Sequence, residues 1–204
     1  MENQSFNHPT QPSEAWVFCY GSNHPEQLSR RIETTIPDIL SRSVSCTLLN
    51  YTRVYQAISR RWEGSVASIV KLDGEECQGF AIKMTGEEIL KIDVFESYPE
   101  WYLREPVELQ MHGKDSQEPQ IITGLAYIMN PQKEFKQPSD AYLTACSHTL
   151  STHHFLKGNL INNVTPLKID IINGINMENS GAFEFIASTD FMQIQEESQQ
   201  ILME

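Results

Sequence analysis

A short apolar run that ends abruptly in a turn signature is the feature that most constrains how this chain folds. Residues 16–19 are Trp, Val, Phe and Cys, which suit a buried strand, and Tyr20-Gly21-Ser22-Asn23 follows them. We expect Gly21 to adopt backbone angles that other residues avoid. Pro25 then suits the first position of a helix. A strand that gives way to a loop and a helix leaves main-chain N–H groups free, so the sequence predicts an anion-binding loop at residues 20–23.

Composition limits the classes of protein to which the chain can belong. Its 204 residues, 40% of them hydrophobic, are enough for one well-buried core. The formal net charge of -12 argues against a general nucleic-acid or anionic-membrane surface, because such surfaces need clustered Lys and Arg. The adjacent basic pairs at residues 30–31 and 60–61 are interpreted as solvated or paired with local carboxylates. We therefore expect neither a nucleic-acid partner nor a membrane partner.

The cysteines and the polar N-terminal segment favour a cytoplasmic protein. The absence of any CxxC pair predicts reduced, mostly buried thiols and neither a zinc nor a redox site. The four thiols are those of Cys19, Cys46, Cys77 and Cys146. No apolar run is long enough to span a bilayer. We expect residues 1–14 to be a flexible tail, residues 15–152 to be the folded domain, and residues 153–204 to be an extension of unknown role.

Strand and helix patterns are mixed along the chain and predict an α+β fold. Strands are predicted over Ala15–Tyr20, within residues 41–84, and over Pro106–Met111 and Ile121–Met129, with an Asp73-Gly74 hairpin turn inside the second stretch. Helices are predicted over Pro25–Ile32, after the capping box Thr85–Glu88, and after the N-cap Ser139. In the extension, strands are predicted over Leu167–Ile172 and Ala182–Ile186, and a helix over Asp190–Met203.

The helix after Thr85 carries the main candidate acid. Ile89, Ile92 and Glu96 recur three or four residues apart, so Glu96 extends the apolar face that the sheet covers. That position places the carboxylate at the edge of an apolar interior. Asp93 is interpreted as a structural partner. A simple ion pair between Glu96 and Arg104 is the alternative to a catalytic role.

Taken in order, five segments resemble the γ-glutamylcyclotransferase-like superfamily. They are Tyr20-Gly21-Ser22-Asn23, Trp62–Ile69, Ile92–Glu96, Tyr102 and Pro138–Tyr142. The resemblance covers about residues 15–152 and implies a small mixed β-barrel with flanking helices. It also implies an enzyme without cofactor or metal that releases a γ-glutamyl group of a small-molecule substrate as 5-oxoproline and frees an amine. Family members often form dimers, so a homodimer is one expected assembly.

The resemblance also assigns roles to residues. Glu96 is the general base and acid. The substrate-binding residues are Val17, Phe18, Cys19, Tyr20, Gly21, Ser22, Asn23, Tyr102 and Tyr142, the first three mainly through strand backbone. The two later tyrosines fit core positions with one satisfied hydroxyl equally well.

One carboxylate is enough for this chemistry. The substrate's own α-amino group attacks the γ-carbonyl, so the protein holds an attack-ready conformer and moves protons. The acid must keep a proton between the two transfers. Burial beside Ile89, Ile92 and Phe95 would favour that, because desolvation penalises the charged form.

Departures from the family pattern leave the substrate open. Ser97 stands where glycine is usual after the acid, Ser65 replaces a second glycine, and His24 replaces an apolar residue. Trp62-Glu63-Gly64 resembles enzymes that act on γ-glutamyl amino acids. The six-residue step from Glu96 to Tyr102 instead resembles the γ-glutamylamine and AIG2-like branch. A catalytically silent binding module of the same fold is the alternative from another class.

His153 and His154 raise the question of a metal site. Adjacent histidines on a helix point apart, and the sequence offers no third ligand. They are interpreted as solvated histidines.

Overall fold

Five strands form a barrel at the centre of the fold. The computed structural model describes residues 13–112, 118–129, 134, 136–164, 168–172, 175–179 and 183–186, and from residue 160 onward only the main chain. The strands are β1 Glu14–Cys19, β2 Ser43–Ser59, β3 Gly64–Thr85, β4 Tyr102–His112 and β5 Gln120–Met129. They close in the order β1-β3-β2-β4-β5. Strand β1 closes the barrel because it is antiparallel to β3 and parallel to β5. The predicted α+β barrel is therefore confirmed.

Among the described residues, four helices flank the barrel; side-chain caps mark the start of three of them, and the first begins at Pro25 without a side-chain cap. They are α1 Pro25–Ile32, α2 Ile36–Ser41, α3 Gly86–Glu96 and α4 Asp140–Leu156. Thr85 and Glu88 form the predicted capping box, and the Ser139 hydroxyl accepts from the Tyr142 N–H. Helix α2 was not predicted. It has six residues, too few to show a helical period, although Thr35 caps it by accepting from the Asp38 N–H.

The predicted Asp73-Gly74 hairpin is wrong. Strand β3 runs unbroken past these residues, and the turn between β2 and β3 lies at residues 60–63. Gly74 has a positive φ of 83°, and its N–H donates to Asn50 Oδ1 at 3.1 Å. The pairing of β2 with β3 shifts register between Leu49 and Tyr51. The Asp-Gly pair therefore makes a bulge within one long strand, because the same left-handed conformation serves a bulge as well as a turn.

The described residues of the extension form two small antiparallel strand pairs. Strand β6 Leu160–Val164 pairs with β9 Phe183–Ile186, and β7 Lys168–Ile172 pairs with β8 Ile175–Asn179. The predicted strands near residues 167–172 and 182–186 are confirmed as β7 and β9. The predicted helix over Asp190–Met203 and residues 1–12 of the predicted tail lie outside the described residues, while Glu14 already belongs to β1. No described helix combines the length and the apolar character needed to cross a membrane.

The expectation that both adjacent histidines are solvated is wrong for His153. Its side chain is fully buried, and its Nδ1 lies 2.6 Å from the Gly79 carbonyl oxygen and 2.9 Å from Ser45 Oγ. A carbonyl only accepts, so Nδ1 carries the proton and donates it. The other ring nitrogen has no hydrogen-bond partner among the described residues. Burial lowers the pKa of His153 to about 3, so the ring packs α4 against the barrel as a neutral group.

This buried histidine predicts a loss of stability in mild acid. Its pKa is near 6.5 in the unfolded chain and about 3 in the folded protein, so the unfolded state binds more protons between these values. The free energy of unfolding should fall by up to about 1.4 kcal/mol per pH unit below about pH 6.5 from this group alone. Urea unfolding of the wild type and of His153→Gln at pH 7.5 and 5 tests this. The variant should show the smaller pH dependence, and equal slopes would contradict the assignment.

Candidate active site

The loop at residues 20–23 lies at the end of β1 and is held by two helices. Thr149 Oγ1 on α4 donates to the Gly21 carbonyl at 2.6 Å. Gln27 Nε2 on α1 donates to the Ser22 carbonyl at 2.9 Å and lies 3.1 Å from Ser22 Oγ. Within the described residues, none of the hydrogen bonds uses the main-chain N–H groups of Gly21, Ser22 or Asn23. The loop is therefore fixed through its carbonyl groups and side chains, which leaves its N–H groups for an anion.

Gly21 is needed for space and not for unusual backbone angles, which corrects the sequence-based explanation. Its φ is not positive, unlike that of Gly74. A Cβ atom at this position would lie 3.3 Å from the Tyr142 hydroxyl and 3.4 Å from Ala67 Cβ. The glycine lets the loop pass close to the tyrosine.

Tyr102 and Tyr142 bracket one residue of β3. The Tyr102 hydroxyl donates to the Ala67 carbonyl at 2.7 Å, and the Ala67 N–H donates to the Tyr142 hydroxyl at 2.8 Å. Both side chains are buried, and burial raises the pKa of each hydroxyl well above its usual value. Because the Tyr142 oxygen accepts from Ala67, its own hydrogen can still be donated. Both residues are thus core residues with a satisfied hydroxyl that also face the cavity described below.

The start of α4 lies against the start of β3. A Cβ atom on Gly64 would lie 2.5 Å from the Ser139 nitrogen, so only glycine permits this approach. Ser65, which stands where the family often has a second glycine, is fully buried, and its hydroxyl donates to the Lys136 carbonyl at 2.7 Å. The Trp62 ring lies 5.1 Å from the Tyr142 ring. These contacts bring the separate segments of the family pattern to one end of the barrel.

Glu96 lies directly against the loop, in contact with Asn23. Asn23 Nδ2 donates to Glu96 Oε1 at 3.1 Å. Arg31 Nη1 donates to the same Glu96 oxygen at 2.8 Å and to Asn23 Oδ1 at 2.6 Å. The Arg31 and Glu96 side chains are only 9% and 15% exposed. The three side chains therefore form a closed, partly buried hydrogen-bonded group in which the charges of Arg31 and Glu96 balance.

The prediction that Glu96 is buried beside Ile89, Ile92 and Phe95 is only partly confirmed. Ile89 and Ile92 are fully buried, but Phe95 is 48% exposed and Arg31 supplies a cationic partner that was not predicted. The signal for Arg31 in the sequence was its spacing four residues after Gln27, since both lie on the inner side of α1.

The alternative prediction, an ion pair between Glu96 and Arg104, is wrong. Its Nε lies 3.5 Å from Asp93 Oδ1, and its guanidinium stacks on the Tyr98 ring at 4.3 Å. Asp93 also accepts from the Tyr127 hydroxyl at 2.7 Å. Asp93 is thus a structural partner, as predicted, but its partners are side chains.

Two cavities meet at Glu96. The inner cavity has a volume of about 30 Å³, which is room for about one water molecule. The outer cavity has a volume of about 460 Å³. Both are lined by Ser22, Glu96, Tyr102 and Tyr142. A glutamyl group therefore needs the outer cavity, or a shift of side chains around the inner one.

Most of the predicted site residues line these cavities. The lining members are Phe18, Tyr20, Gly21, Ser22, Asn23, Glu96, Tyr102 and Tyr142. Val17 and Cys19 do not line them, although they flank Phe18 in β1, because successive side chains of a strand point to opposite faces. Burial raises the pKa of the Cys19 thiol, which keeps it protonated. All four cysteines are buried and free, as predicted. Among the described residues, no group of three or more His, Cys, Asp or Glu side chains is placed to hold a metal ion.

Ser97 ends α3 in the left-handed conformation, which explains why glycine is usual here. Its φ is 51°, and this costs a residue with a side chain about 1–2 kcal/mol. We expect Ser97→Gly to raise the free energy of unfolding by about 1 kcal/mol in urea titrations. Ser29→Gly, inside α1, is the control and should lower it by a similar amount. A destabilised Ser97→Gly protein would contradict the backbone assignment.

Comparison with known proteins identifies a matching family and structures of similar fold. A family model described as γ-glutamyl cyclotransferase, AIG2-like, matches residues 17–144. A solved structure named γ-glutamyl cyclotransferase is similar with a TM-score of 0.57 and 21% identity, covering 69% of this chain and 80% of that chain. The structure of an uncharacterised protein from Homo sapiens is similar with a TM-score of 0.56 and 22% identity. The similarity covers 76% of this chain and 92% of that chain.

The two solved structures support the fold alone, because their identity is low. No curated protein sequence matches the chain. The family model carries the assignment, since it spans more than half of the chain and contains the loop, Glu96, Tyr102 and Tyr142. The chain belongs to the AIG2-like γ-glutamyl cyclotransferase family.

Proposed function

We propose that this protein is an enzyme that cyclises a γ-glutamyl amino acid or peptide to 5-oxoproline and releases the amine. The observation that supports this most is the 3.1 Å contact between Glu96 and Asn23, which sets one acid against the loop whose N–H groups are unused within the described residues. Family membership adds to this support.

The proposed reaction needs one acid and no water. Glu96 takes a proton from the substrate's α-ammonium group, and the amine nitrogen attacks the γ-carbonyl carbon. A carbon–nitrogen bond forms, closing a five-membered ring and leaving a tetrahedral oxyanion. Glu96 then gives its proton to the departing nitrogen as the carbonyl re-forms and the original amide bond breaks, and the second proton lost by the ring nitrogen passes to the released amine, which leaves as an ammonium ion. The products are 5-oxoproline and a free amine, and Glu96 returns to its starting state.

The atoms of the site suit these transfers. Both hydrogen bonds to the Glu96 carboxylate use Oε1, and Oε2 takes part in none among the described residues. Oε2 is therefore the atom that we assign to the substrate's proton. The N–H groups of residues 21–23 and the remaining Tyr142 hydrogen are donors for the oxyanion or the substrate carboxylate.

A catalytically silent binding module is the second candidate, and two observations favour it. Arg31 already pairs with the Glu96 carboxylate, and the inner cavity has room for only about one water molecule. Incubating the protein with γ-glutamyl-alanine and, separately, with γ-glutamyl-ε-lysine, and measuring 5-oxoproline, tests both candidates. Formation from the first substrate supports our proposal, and preferential formation from the second supports a γ-glutamylamine cyclotransferase. A ligand-induced rise in melting temperature without 5-oxoproline would establish the binding module instead.

A further inference from the structure

The outer cavity has a composition that the proposed reaction does not by itself explain. The chain as a whole carries a net charge of -12, yet among the residues that the structure describes three arginines line this cavity against the single acid Glu96. They are Arg31, Arg60 and Arg61. Arg31 is balanced by Glu96, which leaves the other two as an excess of positive charge.

Arg60 and Arg61 sit on the turn between β2 and β3 and are exposed. Among the described residues, neither forms an ion pair, and the Arg61 guanidinium lies 5.5 Å from the centre of the Trp62 ring. The acidic neighbours Glu63 and Glu100 do not line the cavity. The two guanidinium groups are therefore positioned to bind an anion that enters from outside.

Part of the outer wall is apolar and exposed. Ile58 is 60% exposed and Phe95 is 48% exposed, and both line the cavity. Trp62 and Trp101 line it as well. Exposed apolar side chains around a concave surface are typical of a site that a ligand covers.

The position of the cavity assigns it to one part of the substrate. In the proposed reaction, which this inference requires, Glu96 protonates the leaving nitrogen, and the loop at residues 20–23 binds the glutamyl part after the side chains around the inner cavity shift to make room for it. The leaving group must then extend from Glu96 away from the loop, and the outer cavity provides the space there. We propose that the outer cavity is a leaving-group subsite that selects γ-glutamyl amides whose amine carries a free carboxylate and a large apolar or aromatic side chain.

Matched substrates test the subsite in the intact 204-residue chain. They are γ-glutamyl-phenylalanine, γ-glutamyl-alanine and the C-terminal carboxamide of each, with 5-oxoproline formation as the readout. For the wild type, kcat/KM with γ-glutamyl-phenylalanine should exceed that with its carboxamide by about five- to tenfold, as expected for an exposed charge-assisted hydrogen bond. The value of kcat/KM with γ-glutamyl-phenylalanine should also exceed the value with γ-glutamyl-alanine by about tenfold or more. In the Arg60→Gln/Arg61→Gln double variant, the preference for carboxylate over carboxamide should fall below about twofold.

Arg30→Gln is the matched control, because Arg30 is also exposed but pairs with Glu26 on α1 and does not line the cavity. It should retain the wild-type preference. Equal rates with all four substrates would overturn the subsite but not the proposed reaction. The same conclusion would follow if the preference for carboxylate over carboxamide persisted in the double variant or disappeared in Arg30→Gln. No 5-oxoproline from any substrate would overturn the proposed reaction, and the subsite with it.

Discussion

Glu96→Gln is expected to lower the rate of 5-oxoproline formation by about a hundred- to ten-thousand-fold, the usual contribution of a general acid and base. Glutamine keeps the shape of the side chain and can still contact Asn23, but it cannot accept the α-ammonium proton or protonate the leaving nitrogen. The effect should appear in kcat, because the lost interaction is made during proton transfer. Steady-state assays with γ-glutamyl-alanine measure it.

The control for this change is Glu100→Gln, which removes a nearby exposed acid that does not line either cavity. Its kcat should stay within about twofold of the wild-type value, as for a surface substitution. Circular dichroism and the melting temperature show whether Glu96→Gln remains folded. A folded Glu96→Gln protein with an unaltered rate would move the proton transfers to another residue.

Arg31→Gln is expected to lower the free energy of unfolding by about 2–3 kcal/mol, because it leaves the partly buried Glu96 carboxylate without its charge partner. Solvent screens this pair little, since the two side chains are 9% and 15% exposed. Urea unfolding measures the effect.

Arg30→Gln is again the matched control. The Arg30–Glu26 pair lies on the surface, with side chains 70% and 56% exposed, so its loss should cost no more than about 0.5 kcal/mol. The Arg31→Gln/Glu96→Gln double variant should recover part of the lost stability, because no unpaired charge remains. If the two single arginine variants proved equally stable, the Arg31–Glu96 pair would not contribute as described.

Much of the fold follows from local signals in the sequence. The capping box at Thr85 and the N-cap at Ser139 fix where α3 and α4 begin, and alternating apolar residues mark the barrel strands. The error in the fold prediction arose where one local sequence signal is compatible with two different structures. Asp73-Gly74 is compatible with a hairpin turn or a bulge, and only the long-range pairing of β2 with β3 decides between them.

The candidate site was predictable to the extent that its segments keep their order along the chain. That order identified the loop at residues 20–23 and Glu96, but it did not reveal which side chains Glu96 contacts. Arg31 lies 65 residues from Glu96, so their pairing depends on the packing of α1 beside α3. His153 was misjudged for the same reason, since its burial against Gly79 is a property of the tertiary structure.

The central claim is that the substrate supplies its own nucleophile, and a blocked substrate tests it most directly. Purified protein is incubated with γ-glutamyl-alanine or with its N-acetyl derivative, whose α-nitrogen cannot attack, and alanine, glutamate and 5-oxoproline are quantified. We predict equimolar alanine and 5-oxoproline from the first substrate and no alanine from the second. Alanine release from the N-acetyl derivative, or glutamate in place of 5-oxoproline, would contradict the account.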